Sequence, residues 1–203
     1  MLKYTVISGS HRKVSQSAKI AKVVEKLILK ENPSDDVGVI ELANNPLPLW
    51  DEGVFHKDAK WTALWTPYSE ALKASDAIVV VSPEWGGMVP PGLKNFFLLC
   101  GNLELGHKPG LIITVSAATG GAYPVAELRM GSYKNNHFCY IPDHVIVRNA
   151  NNILNDLDNP TADDDRIRVR ISYSLAVLKE YAMALRAVRN SPVINFKDFA
   201  NGM

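Results

Sequence analysis

Hydroxyl groups and cationic side chains are concentrated in one short segment, GSHRKVSQS, which spans residues 9–17. It directly follows a run of apolar and β-branched residues. Serine hydroxyls can donate to phosphate oxygens, and Arg12 can bind an oxyanion bidentately. If the segment opens a helix, free backbone N–H groups and the helix dipole also favour an anion. The segment therefore predicts an anion site; a turn with a helix cap and solvated charges is the alternative.

The kind of anion can be narrowed from what the segment lacks. It has neither the G-x-G-x-x-G of a dinucleotide site nor the G-K-[ST] ending of a nucleotide P-loop. A phosphomonoester fits better, because hydroxyl and amide groups can surround its terminal oxygens.

Two further polar or glycine-rich segments follow apolar runs. The segment SPEWGGMV, residues 82–89, combines the rigid Pro83, the flat side chain of Trp85 and two glycines that allow close approach to the backbone. The segment SAATGGAY, residues 116–123, has small residues beside which a planar ring can lie. Taken alone, the first also fits a turn with Trp85 covering the core, and the second a flexible turn.

The elements that position these segments follow from hydrophobic periodicity. Strands are predicted at residues 2–7, 37–42, 77–81, 110–115 and 141–147. Helices are predicted from about Ser15 to Asn32, from about Lys60 to Ala74, at 93–99, at about 124–133, and around 167–185. This alternation predicts an α/β doubly wound, five-stranded parallel sheet in one domain over residues 1–203. Ligands bind at the carboxyl ends of such strands, so the three segments are expected to meet there.

Two of the segments resemble motifs of the NAD(P)H-dependent FMN reductase family. GSHRKVSQS resembles that family's phosphate loop, G-S-x-R-x-x-S-x-[NS], and SPEWGGMVPPGLKN resembles its [ST]-P-E-Y-N-x-x-x-P-G-x-L-K-N. The similarity runs from Tyr4 to about Gly121. Trp85 stands in place of Tyr and Gly86 in place of Asn, so one possible hydrogen bond to a flavin ring is absent.

The resemblance implies a flavodoxin-like fold of strand order 2-1-3-4-5 and a homodimer or tetramer. It implies non-covalent FMN, NADPH or NADH as co-substrate, and a small acceptor such as a flavin, a quinone, an azo dye or chromate. The FMN phosphate is expected at Ser10, Arg12, Ser15, Gln16 and Ser17. The flavin ring is expected between Pro83, Glu84, Trp85 and Gly86 on one side and Ser116, Thr119 and Gly120 on the other. The chemistry belongs to the flavin, so no catalytic side chain is expected, and a structural role is favoured for Glu84.

Composition bears on the alternatives. The net charge of +1 gives no reason to expect nucleic acid or a membrane surface as a partner. It also disfavours an electron carrier of flavodoxin type, which would dock through strong charge of one sign. A non-enzymatic flavin- or phosphate-binding module remains the other alternative.

Cys100 and Cys139 lack metal spacing, and no signal-peptide hydrophobic region precedes the first strand, so a cytoplasmic location is expected. Exposed aromatic residues between Trp50 and Trp65 favour a dimer.

Overall fold

A computed structural model describes residues 1–156 and 158–202 of the chain. Five parallel strands form one sheet of order β2-β1-β3-β4-β5. The strands are β1 (Lys3–Ser8), β2 (Asp36–Glu41), β3 (Ala77–Pro83), β4 (Pro109–Val115) and β5 (Cys139–Val147). The predicted fold class and strand order are confirmed.

Helices cover both faces of this sheet. They are α1 (Gln16–Glu31), α2 (Gly53–His56), α3 (Ala59–Ala74), α4 (Pro91–Leu99), α5 (Asn102–Leu105), α6 (Ala122–Gly131) and α7 (Ala162–Arg189). The single-turn helices α2 and α5 were not predicted, because four residues are too few to show a helical period. No helix in the described parts of the chain is long and apolar enough to cross a membrane.

The core lies in two layers, one on each face of the sheet. Side chains of α1 and α7 pack on one face, and those of α3, α4 and α6 pack on the other. Every residue of β3 and β4 is buried, because these two strands lie inside the sheet and are covered on both sides. Their carboxyl ends are therefore held rigidly beneath the segments that follow them.

The predicted surface of exposed aromatic residues between Trp50 and Trp65 is largely wrong. Trp61 is only 4% exposed, and its indole N–H donates to the carboxylate of Asp51 at 2.6 Å. Trp50 and Trp65 are half-buried, which leaves Phe55 as the exposed aromatic side chain of the segment. The tryptophans are drawn inward because α3 packs against the core.

Charged groups at the amino-terminal ends of the strands are paired within the protein. The ammonium group of Lys108, which is 5% exposed, donates to the carbonyl oxygens of Leu72 and Lys73 at the end of α3. Burial, and then repulsion from Arg189, lowers the pKa of Lys108 to about 8. Asp76 accepts from the guanidinium groups of Arg186 and Arg189 at 3.0 and 3.3 Å. We call this region the amino edge.

Candidate flavin site

Three loops meet at the carboxyl edge of the sheet, as predicted. Loop 1 (residues 9–15) follows β1, loop 2 (residues 84–90) follows β3, and loop 3 (residues 116–121) follows β4. The rings of His11 and Trp85 are 4.6 Å apart and join loop 1 to loop 2. The carboxylate of Glu84 accepts from the N–H of Gly121 at 2.8 Å and joins loop 2 to loop 3.

Loop 1 lies directly against the core. The N–H of Gly9 donates to the carbonyl of Val81 at 2.8 Å, and a Cβ atom on Gly9 would come within 2.6 Å of Leu93. A side chain at position 9 would therefore push the loop away from α4. Ser10 is 1% exposed, and its hydroxyl accepts from the backbone N–H of Arg12 at 3.3 Å.

The start of α1 contains polar atoms that lack partners. Ser15 is the N-cap residue and accepts from the N–H of Ala18 at 3.1 Å. The hydroxyls of Ser8 and Ser17 and the side-chain oxygen of Gln16 are buried without a hydrogen-bond partner among the described residues.

Buried polar groups in proteins are almost always hydrogen-bonded, so these atoms indicate a ligand. A phosphate would accept from the hydroxyl of Ser17, and a ribityl hydroxyl would donate to the oxygen of Gln16. Arg12 is exposed at the same place, where a charge-assisted bond to phosphate is possible. The residues of loop 1 and α1 therefore fit FMN.

Loop 2 contains a two-residue hairpin turn. Trp85 and Met88 exchange two backbone hydrogen bonds of 3.0 Å each, with Gly86 and Gly87 at φ 57° and 75° between them. Positive φ at both central positions is the signature of a type I′ turn, which favours glycine and asparagine. The replacement of the family's Asn by Gly86 therefore preserves the backbone that the turn requires, and only the amide side chain is lost.

Glu84 has the structural role that was favoured for it. Besides the contact to Gly121, its own N–H donates to the carbonyl of Val115 at 2.9 Å. Gly121 has φ 106°, and a Cβ atom there would lie 2.4 Å from the side chain of Ile146. Only glycine allows α6 to begin this close to β5, and the carboxylate of Glu84 binds the N–H that this conformation presents.

The remaining predicted residues also lie at this edge. Pro83 ends β3, and Ser116, which is 9% exposed, donates its N–H to the carbonyl of Val147. Thr119 is exposed and Gly120 half-buried at the tip of loop 3. The structure thus brings the predicted residues together on neighbouring loops.

The sequence reasoning missed Arg148. This residue directly follows β5, and its Nε donates to the carbonyl oxygens of Thr119 and Gly120 at 2.7 and 3.1 Å. A signal was available, because Arg148 follows a predicted strand at the same edge as the three loops.

Glu127, on α6, was also missed. Its carboxylate accepts from the N–H of Val89 at 2.5 Å and forms an ion pair with Lys94. Burial alone would raise the pKa of Glu127, but its hydrogen bonds to Lys94 and to Val89 outweigh that effect and lower it. Asn95 binds the backbone of Pro48 and Trp50. Lys94 of the second motif therefore holds Glu127 against loop 2, and Asn95 holds the segment that follows β2.

Known proteins resemble the chain in sequence and in fold. Two quinone reductases of Pseudomonas putida are 28% and 31% identical to the chain over 123 residues, which are 58% of the chain and 62% of the length of each relative. The structure of FerB, a flavoenzyme NAD(P)H:acceptor oxidoreductase from Paracoccus denitrificans, superposes with a TM-score of 0.66. That superposition covers 92% of the chain and 98% of FerB at 19% identity, and it supports the fold.

The family model described as NADPH-dependent FMN reductase matches residues 2–152. The cofactors expected from the motifs, FMN and NADPH, are the ones that this description names. The match contains all three loops, Arg148 and the whole sheet, and the chain therefore belongs to the NADPH-dependent FMN reductase family.

Proposed function

We propose that the chain is an FMN-dependent NAD(P)H oxidoreductase, which passes a hydride through bound FMN to a flavin, a quinone or a similar small acceptor. One observation carries the proposal. Buried hydroxyl and amide oxygens without partners stand at the start of α1, beside the exposed Arg12. A helix start of this composition suits the terminal phosphate of FMN.

Each loop has a distinct part in this proposal. Ser10, Arg12, Ser15, Gln16 and Ser17 bind the phosphate and the adjoining ribityl chain. Loop 2, with Pro83, Glu84, Trp85 and Gly86, and loop 3, with Ser116, Thr119 and Gly120, border the ring. When bound, FMN supplies the centre that accepts and releases the hydride. The protein orients the ring through loops whose backbones are already hydrogen-bonded, so little ordering is needed on binding.

The acceptor class rests on the relatives. The Pseudomonas putida proteins are named quinone reductases, which supports a quinone. An electron carrier is disfavoured by the net charge of +1. A non-enzymatic module is disfavoured by the type I′ turn, because the change to Gly86 leaves the backbone of loop 2 in the conformation that Asn would also adopt.

A homodimer or tetramer in the cytoplasm completes the proposal. The described surface carries the exposed apolar side chains of Leu98 and Met130, 66% and 79% exposed, on α4 and α6. They border a cavity of about 590 Å³ between these helices. Apolar patches of this kind mark contact surfaces. Both cysteines are free thiols, as in reduced compartments. Light scattering at micromolar concentration tests the assembly, and a monomer mass would remove that part of the proposal.

The activity test uses purified protein, FMN, NADPH and a benzoquinone. We expect FMN to bind stoichiometrically and NADPH oxidation to require both FMN and the quinone. A carrier would bind FMN without oxidising NADPH, and a module that binds only phosphate compounds would show neither. The variant Arg166→Ala is a suitable control, because this exposed arginine pairs with Asp163 rather than with the site.

A further inference from the structure

The arginines of this protein fall into two groups. The sequence contains eight, and within the described residues six of them donate from a terminal guanidinium nitrogen to a carboxylate or a carbonyl oxygen. These six are Arg129, Arg166, Arg168, Arg170, Arg186 and Arg189. Most arginine side chains therefore stabilise the fold, through bonds to backbone carbonyl oxygens or through ion pairs.

Arg12 and Arg148 are the exceptions. In residues 1–156 and 158–202, the terminal nitrogens of these two guanidinium groups contact no acceptor, and neither side chain has an ion pair. Both are exposed, and both lie at the carboxyl edge of the sheet. Arg12 is already assigned to the FMN phosphate, so Arg148 is a cation at the site without an assigned ligand.

Arg148 is held in a defined orientation. Its Nε–H is shared between two carbonyl oxygens of loop 3, which holds the guanidinium group against that loop, and its terminal nitrogens have no acceptor among the described residues. The carboxylate of Glu84, the nearest acidic group along these contacts, is engaged by the N–H of Gly121. A planar fork with free N–H groups is suited to bidentate binding of phosphate.

The position of Arg148 separates it from the FMN phosphate. β1 and β5 are three strand intervals apart in the sheet, which at about 4.8 Å each places their ends roughly 14 Å from one another. Loop 1 at β1 takes the phosphate end of FMN, and loops 2 and 3 take the ring. Arg148 therefore lies beyond the ring, on the side away from loop 1.

We propose that Arg148 binds a phosphate group of the pyridine dinucleotide that reduces the flavin. The inference rests on the proposed function, since it requires a dinucleotide to enter this site. The nicotinamide must reach the flavin ring, and its phosphates extend from it into solvent. Arg148 is an exposed cation at the rim of the ring site, where such a phosphate gains a charge-assisted bond.

The test compares Arg148→Ala and Arg148→Lys with wild type, using FMN-loaded protein. The hydride donors are NADPH, NADH and 1-benzyl-1,4-dihydronicotinamide, which has no phosphate. We expect Arg148→Ala to raise KM for the dinucleotide, and Kd for NADP⁺ by calorimetry, about 10- to 100-fold. The rate with the phosphate-free donor should stay within about two-fold, and Arg148→Lys should recover part of the affinity by restoring the charge.

The outcomes separate this proposal from its basis. A loss confined to NADPH would place the guanidinium on the 2′-phosphate, and an equal loss with NADPH and NADH would place it on the pyrophosphate. If all donors change by one common factor together with FMN affinity, Arg148 only holds loop 3 and the proposal is overturned. If none of the three donors reduces the FMN bound to the wild-type protein, the proposed function itself fails. Arg166→Ala should leave every donor unaffected.

Discussion

The two edges of the sheet use similar residues for opposite purposes. At the amino edge, Lys108 binds two carbonyl oxygens and Arg186 and Arg189 share Asp76. At the carboxyl edge, Arg12 has no side-chain partner among the described residues and Ser17 keeps a buried hydroxyl unbonded. Side-chain type does not separate a site from the scaffold in this protein. What differs between the groups compared here is whether their hydrogen-bonding capacity is met within the protein.

The direction of the helices explains the difference. In a parallel sheet with crossover helices, helix C-termini collect at the amino edge and helix N-termini at the carboxyl edge. Carbonyl oxygens at the C-terminus of α3 attract a cation from the protein itself, Lys108. The free N–H groups at the start of α1 attract an anion, and the first turn of α1 contains no acidic residue that could take that place.

The largest effect that sharpens this comparison is expected from Arg12→Ala. FMN affinity should fall about 10- to 150-fold, because charge-assisted bonds of about 1.5–3 kcal/mol are lost. Riboflavin, which lacks the phosphate, should bind both proteins alike. Flavin fluorescence quenching measures both affinities.

The matched variant at the other edge is Arg189→Ala, which should lower the free energy of unfolding and leave FMN affinity unchanged. Equal FMN affinity of Arg12→Ala and wild type would mean that loop 1 is a turn and helix cap only, and the distinction between the edges would be lost.

The next effect concerns pH at the amino edge. The pKa of Lys108 is about 8 in the folded protein, against about 10.4 for an unperturbed lysine. Between these values the unfolded chain binds more protons, so this group makes stability rise with pH. The gain should be about 2 kcal/mol from pH 8 to pH 10.

Urea unfolding of wild type and Lys108→Met across this pH range isolates that contribution, because other titrating groups are common to both proteins. A difference between the two proteins that does not change with pH would show that Lys108 keeps an ordinary pKa. FMN affinity should be the same in both.

The smallest effect is expected from Ser17→Ala. FMN affinity should fall about five-fold, the equivalent of one hydrogen bond of about 1 kcal/mol. The apo protein should be as stable as wild type or more stable, because the lost hydroxyl is buried without a partner and alanine favours the helix.

Ser75→Ala gives the opposite pattern. The hydroxyl of Ser75, at the amino edge, bonds to Thr5 and Ala71, so its removal should lower stability and spare FMN binding. If Ser17→Ala destabilised the apo protein as much as Ser75→Ala does, the hydroxyl of Ser17 would have a structural partner after all.

Most of the fold was predictable because its signals are local and repeated. The sequence runs at β3 and β4 are continuous and apolar, which is typical of strands covered on both faces. The segment between them has a helical period, so the two strands are expected to be parallel neighbours in one sheet. The meeting of the three loops at one edge of the sheet followed from the same reasoning. The short helices α2 and α5 did not, because tertiary contacts rather than sequence periodicity form them.

The meeting of the three loops at one edge was predictable from the sequence, whereas the contacts between the loops were not. The side chains that make these contacts bind backbone groups far along the sequence: 37 positions away for Glu84, 38 for Glu127, and 28 and 29 for Arg148. Hydrophobic periodicity predicts helices and strands and gives no information on such pairs. The tryptophan surface was mispredicted for a related reason. The sequence does not indicate whether an aromatic residue of α3 lies on the face that packs against the core. It also does not identify Asp51 as the hydrogen-bond partner of Trp61.

The type I′ turn of loop 2 has a consequence for how this protein can change over evolution. The added atom at position 86 would meet only the flexible end of Met88, at 3.7 Å, and φ 57° is a conformation that Asn and Asp accept. Mutation can therefore place or remove a polar group beside the proposed ring site without refolding the loop. A substitution at this position can therefore change flavin contacts and acceptor preference while the stability of the domain stays the same.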